Sequence, residues 1–220
     1  MLRLSQASTY QQNAGTSIHK EVETFFTDGT RPTSAPALAT LEHLPSPTAG
    51  FFAELELAEP SLYVDGVRVK GFIDLVGLVG ETVEIYDLKT VSSWRYCKTE
   101  DDLRTDVQQG VYAKWAEARF PEATSVKVAL VYVRRDNAKV RVVAAELTKD
   151  EIAATWAGVV ETALLMKETA GKTLDQVEGA NDVSPKGACS AFGGCPFFGV
   201  CWSLAARFDL YPEVELTPPA

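Results

Sequence analysis

The chain has 220 residues, of which 46% are hydrophobic, so it can bury a substantial core, and its length favours one domain. No apolar run approaches the roughly 20 residues that span a bilayer, and the polar N-terminus lacks a signal-peptide core, so a cytoplasmic location without membrane contact is expected. The net charge of −9 argues against a broadly basic nucleic-acid surface. Bound divalent cations could still attract a phosphate, and basic residues cluster locally within 89–98 and 133–135.

A helix is the first predicted element. Apolar residues recur at helical spacing over 14–26, as at Ile18 and Val22. The next segment, 27–50, is rich in Gly, Pro, Ser and Thr and is predicted to be a connection.

The hydrophobic period then changes to two, which predicts strands at 51–57, 62–64, 68–78 and 83–88. Asp65-Gly66 predicts a tight hairpin turn, and Gly80-Glu81 predicts a second one.

The remaining chain alternates helix and strand. Helices are predicted at 99–119 and 148–169, with a strand pair between them at 127–133 and 139–146. This order predicts an α/β fold with a central mixed sheet, built largely from antiparallel hairpins and flanked by helices. We expect one domain over 1–220, with the Cys/Gly/Pro-rich residues 171–220 packing on its core.

The second hairpin brings two acids together. If Gly80-Glu81 is its two-residue loop, paired positions sum to 161, which sets Asp74 opposite Asp87. Lys89 lies two residues beyond Asp87 and shares its face. Directly opposed residues have Cα atoms about 4.5–5.5 Å apart, so the carboxylates should repel each other.

A cation would relieve that repulsion. The neighbouring residues are apolar, and a buried pair of like charges is costly unless it shares a proton or binds a cation. Carboxylates suit Mg²⁺ or Mn²⁺, and an adjacent lysine can orient a water or offset phosphate charge. The alternative is an ordinary ion pair between Asp87 and Lys89, with Asp74 an acid near a turn.

Four motifs follow one another in a recognisable order: Gly15-Thr16-Ser17-Ile18-His19, Gly71-Phe72-Ile73-Asp74, Asp87-Leu88-Lys89-Thr90, and Gln108 followed by Tyr112. The chain thereby resembles the PD-(D/E)XK nuclease superfamily, and in particular its RecB-like exonuclease branch with phage-type and CRISPR-associated relatives. The resemblance extends from Gly15 to Cys201 and implies a restriction-endonuclease-like core.

The resemblance also implies site roles. Asp74, Asp87 and Lys89 would be catalytic, with Lys89 positioning the attacking water. The metal ligands would be His19, Asp74, Asp87 and the Leu88 carbonyl. Gln108 and Tyr112, one helical turn apart, would contact DNA or support the ligands. Either Glu54 or Glu56 would match a further acidic position of the family.

Each of the outer positions has a plainer alternative. His19 could be a surface histidine that contacts Glu23 on its own helix. Gln108 and Tyr112 could form a packed helix face.

The cysteines suggest a second metal site. Cys189, Cys195 and Cys201 follow one another at intervals of six, and Cys97 is the remaining candidate ligand. Such a set could hold Zn²⁺ or, as in some RecB-like nucleases, a [4Fe–4S] cluster. The spacing departs from the family's usual pattern, and no cysteine precedes His19. The alternative is three small, reduced cysteines that pack against neighbouring aromatic residues.

These observations predict a Mg²⁺- or Mn²⁺-dependent deoxyribonuclease. The resemblance favours an exonuclease acting on single-stranded DNA or duplex ends, in recombination and repair, in a bacterial or phage-infected cell, with recombination proteins as further partners. The alternatives are a non-catalytic DNA-binding or assembly protein with the nuclease fold, and a protein whose main function is the cysteine metal site.

Overall fold

The computed structural model describes residues 10–47 and 50–170. The helices of this part are α1 (Tyr10–Asp28), α2 (Ala35–Leu41), α3 (Glu100–Arg104), α4 (Val107–Arg119) and α5 (Lys149–Ala170). Its strands are β1 (Phe52–Glu56), β2 (Tyr63–Val64), β3 (Val67–Arg68), β4 (Phe72–Val79), β5 (Thr82–Val91), β6 (Ser125–Arg134) and β7 (Val140–Leu147). None of these helices is both long enough and apolar enough to cross a membrane.

Five strands form the central sheet, in the order β1-β4-β5-β6-β7, and β2 and β3 form a separate small hairpin. Only the β5–β6 pair in this sheet is parallel, and its connection carries α3 and α4. The other neighbours are antiparallel. The predicted mixed, largely antiparallel sheet flanked by helices is therefore confirmed.

Both predicted turns are present. Asp65 and Gly66 have positive φ angles of 46° and 79°, as a two-residue turn of this type requires, and they join paired residues Val64 and Val67. Val79 pairs with Thr82, and the β4–β5 pairs sum to 161, as predicted. This ladder ends at Leu75 and Tyr86, one position before the two acids.

The sheet is covered on both faces because its strands alternate apolar residues toward each side. One face packs against α3, α4 and the start of α5, through residues that include Ile73, Val83, Ile85, Leu103, Trp115 and Ile152. The other face packs against α1 and α2, through Ile18, Val22, Ala37, Leu88 and Val133. The middle of the sheet is therefore buried, and polar side chains come together where the β4–β5 pairing ends.

Several boundaries differ from the sequence prediction. Residues 27–50 contain a helix, α2, which Ser34 caps and which has a proline in its first turn. The predicted strand 68–78 is divided into β3 and β4. The predicted helix 99–119 is divided into α3 and α4, because Asp106 accepts a hydrogen bond from the Gln109 amide and starts a new helix.

Other elements agree with the prediction. Helix α1 and the β6–β7 pair occur where they were expected. Thr148 caps α5, accepting from the Glu151 amide at 3.2 Å while the Glu151 carboxylate accepts from the Thr148 amide at 2.7 Å. The elements, except the last four residues of α5, belong to a compact unit of Thr9–Met166. The predicted packing of 171–220 lies outside the described residues.

Candidate active site

The site lies at the end of the β4–β5 ladder. Beyond the last backbone pair of β4 and β5, the Asp74 side chain takes the place of a backbone acceptor. Its Oδ2 accepts the hydrogen bond from the Leu88 N–H at 2.6 Å. Asp74 and Asp87 are therefore not a ladder pair, although their charges interact. The sheet opens here, and polar side chains from both strands and from α1 and α4 converge.

Asp87 is the most buried acid of the site, with 2% of its side chain exposed. Its Oδ1 accepts a hydrogen bond from Gln108 Nε2 at 3.3 Å. Its Oδ2 forms an ion pair with Lys89 Nζ at 2.5 Å and has no other partner among the described residues. Burial raises the pKa of Asp87, and the Lys89 charge opposes that rise.

Asp74 is also held in an environment that disfavours its charge. Burial, and then the charge of Asp87, raise its pKa to about 6. The Leu88 N–H and the charge of Lys89 limit that rise. Two acids with raised pKa values and a partly exposed lysine thus share one small volume.

Helix α1 brings an imidazole to the same place. His19 Nδ1 lies 3.6 Å from Asp74 Oδ2. Burial lowers the pKa of His19, although the neighbouring acids oppose this, so the ring is neutral at pH 7. The expected alternative contact with Glu23 is taken by Lys20, whose Nζ lies 2.6 Å from Glu23 Oε1.

Gly15 explains how α1 comes so close to β5. A Cβ at this position would lie 3.0 Å from Thr90 Oγ1, closer than side chains normally pack. The glycine of the first motif and the threonine of the third are therefore in direct contact. A larger residue at position 15 would push away the helix that carries His19.

The sequence did not decide whether Glu54 or Glu56 is the further acid of the site, and their positions in the structure distinguish the two. Burial, followed by the charge of Asp74, raises the pKa of Glu54, and His19 is also among its titratable neighbours. Glu56 points elsewhere, with Oε1 3.4 Å from Arg68 Nη2. Glu54 is therefore the acid near the site.

Gln108 and Tyr112 on α4 connect the acids to the start of β4. Gln108 Nε2 donates to the Tyr112 hydroxyl at 2.8 Å, and Lys89 Nζ donates to Gln108 Oε1 at 3.4 Å. The Tyr112 hydroxyl in turn donates to the Phe72 carbonyl at 2.6 Å. Tyr112 is buried in the core, so it both packs and hydrogen-bonds, while the Gln108 amide orients Asp87 and Lys89.

Whether these residues can bind a metal ion depends on the donor atoms that they offer. Within residues 10–47 and 50–170, no set of three or more His, Cys, Asp or Glu side chains is arranged to hold a metal ion. The buried Asp87 Oδ2, which has only the Lys89 ammonium beside it, is nevertheless the kind of hard oxygen donor that a divalent cation satisfies. The residues therefore fit a cation held by two carboxylates and completed by backbone or water oxygens.

Of the four cysteines in the predicted second metal site, the structure describes Cys97 alone. Cys97 lies in the loop after β5 as a free, partly buried thiol, and burial raises its pKa. Cys189, Cys195 and Cys201 lie outside the described residues, so the zinc or iron–sulfur site stays a prediction.

One neighbour of the site was missed from the sequence. The charge of Asp106 contributes to the raised pKa of Asp87, and Asp106 also ion-pairs with Lys98. Its capping role before Val107 was the available signal, because an N-cap there ends the preceding helix and turns α4 toward β5.

Comparison with known proteins agrees with this class of site. A family model described as the PD-(D/E)XK nuclease superfamily matches residues 35–202, which is more than half of the chain. The chain therefore belongs to the PD-(D/E)XK nuclease superfamily. Its members are generally nucleases and typically use divalent metal ions. The motif Gly15–His19 precedes the matched range.

Two further comparisons do not extend the family assignment. No curated protein sequence matches. A solved structure described as "Crystal structure of SSO0001" is similar over 52% of this chain and 50% of that chain, at 18% identity and a TM-score of 0.35. The chain thus spans about half the length of the chain it matches, and similarity at this level is too weak to define a common fold.

Proposed function

We propose that this protein is a Mg²⁺- or Mn²⁺-dependent deoxyribonuclease, and that it acts as an exonuclease of the RecB-like type. The observation that carries the proposal is the buried Asp87 carboxylate, whose Oδ2 has Lys89 as its only partner among the described residues. Asp74 supplies a second carboxylate that interacts with the first. One ammonium does not compensate two buried carboxylates, so the pair is costly unless a further cation binds it or one acid is protonated.

Asp74 and Asp87 would hold the cation, with the Leu88 carbonyl and His19 as further ligands. His19 suits this role because its lowered pKa leaves a ring nitrogen unprotonated at pH 7. When bound, the cation supplies Lewis-acid stabilisation of the scissile phosphate and makes water more acidic. The raised pKa of Asp74 implies that protons compete for this ligand below about pH 6.

Lys89 would position the attacking water and offset charge on the phosphate. Its side chain is 39% exposed, so the ammonium reaches solvent while its stem extends from the buried strand. Hydrolysis forms a bond from the water oxygen to phosphorus and breaks the bond to the leaving sugar oxygen, which takes a proton. Gln108 would hold Lys89 and Asp87 in register through its amide.

The test is cleavage of linear DNA by site variants. We expect Asp87→Ala and Lys89→Ala to lower the rate by about 100-fold or more, because each removes a group on which transition-state stabilisation depends. Lys127→Ala is a matched control, since Lys127 is 42% exposed and also pairs with a strand acid, Glu84, at 3.0 Å. The control should cleave at the normal rate.

Substrate topology tests the exonuclease assignment. An exonuclease degrades linear DNA and leaves covalently closed circles intact. Full activity in Asp87→Ala or Lys89→Ala would refute the catalytic assignment, and nicking of closed circles would refute the exonuclease mode alone. Thermal unfolding of each variant shows whether a loss of activity reflects a loss of fold.

A further inference from the structure

A groove opens beside the proposed catalytic residues. It has a volume of about 580 Å³, and its walls come from the loop after β5 and the start of α4. The residues that matter here are Arg95, Tyr96, Lys98, Asp106, Val107 and Gln108, which together define the 95–108 groove.

The groove is continuous with the active site through Gln108. This residue lines the groove and also donates to Asp87 Oδ1 at 3.3 Å and accepts from Lys89 Nζ at 3.4 Å. A molecule lying in the groove would therefore end within side-chain reach of the proposed scissile position.

Two exposed apolar side chains stand in the groove. Tyr96 is 57% exposed and Val107 is 62% exposed, although the sheet nearby is well buried. The Arg95 guanidinium lies over the Tyr96 ring, 4.7 Å from its centroid. An exposed aromatic ring with a cation on it is the usual platform for an unpaired nucleic-acid base and its phosphate.

The charges around the groove favour an anion despite the acidic chain. Its acids are already engaged: Asp106 caps α4 and ion-pairs with Lys98, and Asp102 accepts from Thr99. Arg95 and the nearby Arg141, which stacks on Trp94 at 4.8 Å, have no carboxylate partner within the described part of the chain. Arg95 and Lys98 thus balance the charges of Asp102 and Asp106 in the lining, and the nearby Arg141 adds a positive charge.

We propose that the 95–108 groove binds an unpaired nucleotide of the substrate strand, with its base stacked on Tyr96 and its phosphate held by Arg95. This rests on the proposed nuclease function and assigns residues outside the catalytic motifs to the binding of a single strand or a frayed end. A paired base does not offer its face to a side chain, so an intact duplex would not use this platform.

The test is equilibrium binding by fluorescence anisotropy. The probes are a short labelled oligothymidylate and a blunt duplex, each measured in Ca²⁺ and in EDTA with intact probe verified on a gel. We expect Tyr96→Ala to bind the single strand about 5- to 150-fold more weakly, because stacking on one aromatic ring is worth about 1–3 kcal/mol per base. Tyr96→Phe keeps the ring and should bind within about twofold of the normal protein.

Matched controls separate stacking from general surface effects. Tyr63 is 58% exposed but lies on the β2–β3 hairpin outside the groove, so Tyr63→Ala should bind normally. Arg95→Ala should reduce the slope of log affinity against log salt by about 0.7, the value for one phosphate of a single strand. Arg119, which lies over Phe120 at 5.4 Å, provides the control Arg119→Ala, with an unchanged slope.

Every result of these binding measurements either supports or overturns the groove assignment. Normal single-strand binding by Tyr96→Ala, an equal loss on the duplex, or no single-strand binding by the normal protein in either buffer would overturn the groove assignment. Failure of the proposed function is read separately, as absence of metal-dependent cleavage by the normal protein, because the binding measurement requires no catalysis.

Discussion

At the scale of single residues, the site is built from groups that the fold disfavours. Burial raises the pKa of Asp74 and of Asp87, and it lowers the pKa of His19. Each of these shifts means that the folded protein disfavours the charged form relative to the unfolded chain. Such groups are common at functional sites because selection for chemistry opposes selection for stability.

The raised pKa of Asp74 gives a prediction about stability. Its folded pKa of about 6 lies above its ordinary value, so the folded state binds more protons between pH 4 and 6, and ionisation costs stability as pH rises through that window. In EDTA near pH 7.5, Asp74→Asn should therefore raise the free energy of unfolding by about 1–3 kcal/mol, since a tenfold change in proton affinity is about 1.4 kcal/mol. The amide oxygen can still accept the Leu88 N–H.

Urea unfolding at a series of pH values measures this effect. The advantage of Asp74→Asn should stay nearly constant down to about pH 6.5 and shrink as the pH falls through 6 toward 4, because the normal side chain becomes protonated in the folded state. Asp101→Asn changes an exposed acid of α3 and should have little effect. A variant that is less stable than the normal protein at pH 7.5 would show that the Asp74 charge is well solvated.

At the scale of elements, close helix packing positions α4 relative to α5. Gly110 lies between Gln108 and Tyr112, and a Cβ there would lie 2.2 Å from Thr155 Cγ2 on α5. The helix that carries the two polar site residues is thus held against α5 at a distance that only glycine allows. Gly110 consequently serves the site through packing.

Gly110→Ala should destabilise the protein by about 1–3 kcal/mol, because the added methyl group overlaps a β-branched side chain. Gly158→Ala is the matched control on α5, since a Cβ there meets nothing within 4 Å, and it should stabilise by about 0.5–1 kcal/mol. Chemical denaturation compares the two variants. A stabilised Gly110→Ala would mean that α4 and α5 separate without cost.

The elements that the sequence predicted well are those with strong local signals. The β4–β5 register followed from a two-residue turn and the strand period. Helix α2 was missed because prolines and small polar residues dominate 27–50, even though Ser34 and Pro36 are standard start signals. The break between α3 and α4 depends on Asp106 capping, which competes with a continuous amphipathic pattern.

The sequence predicted the candidate site residues that belong to motifs, but not those that only the tertiary fold brings to the site. The motifs and the hairpin register predict that Asp74, Asp87 and Lys89 lie together, although the predicted direct pairing of Asp74 with Asp87 lies one position beyond the ladder. Choosing Glu54 over Glu56 required the β1–β4 register and a left-handed backbone at Glu54, with φ of 48°. The 95–108 groove required knowing that the loop after β5 lies beside α4.

At the scale of the whole molecule, charge and function are in tension. The chain has 30 acidic and 21 basic residues, and its proposed substrate is a polyanion. Salt screens charges beyond about 8–10 Å, so groups near the site dominate the field at a bound phosphate. A cation between Asp74 and Asp87, together with Lys89 and Arg95, would give that position a local charge opposite to the molecule's.

The most direct measurement is a time course of cleavage of end-labelled single-stranded and duplex DNA with Mg²⁺, with Mn²⁺ and with EDTA. Lys89→Ala serves as the catalytic control. We predict shortening of the DNA from an end with either metal, none in EDTA, and a loss of about 100-fold or more in Lys89→Ala. Intact DNA with the normal protein in both metals, or equal cleavage by Lys89→Ala, would contradict the assignment of a metal-dependent nuclease centred on Asp74, Asp87 and Lys89.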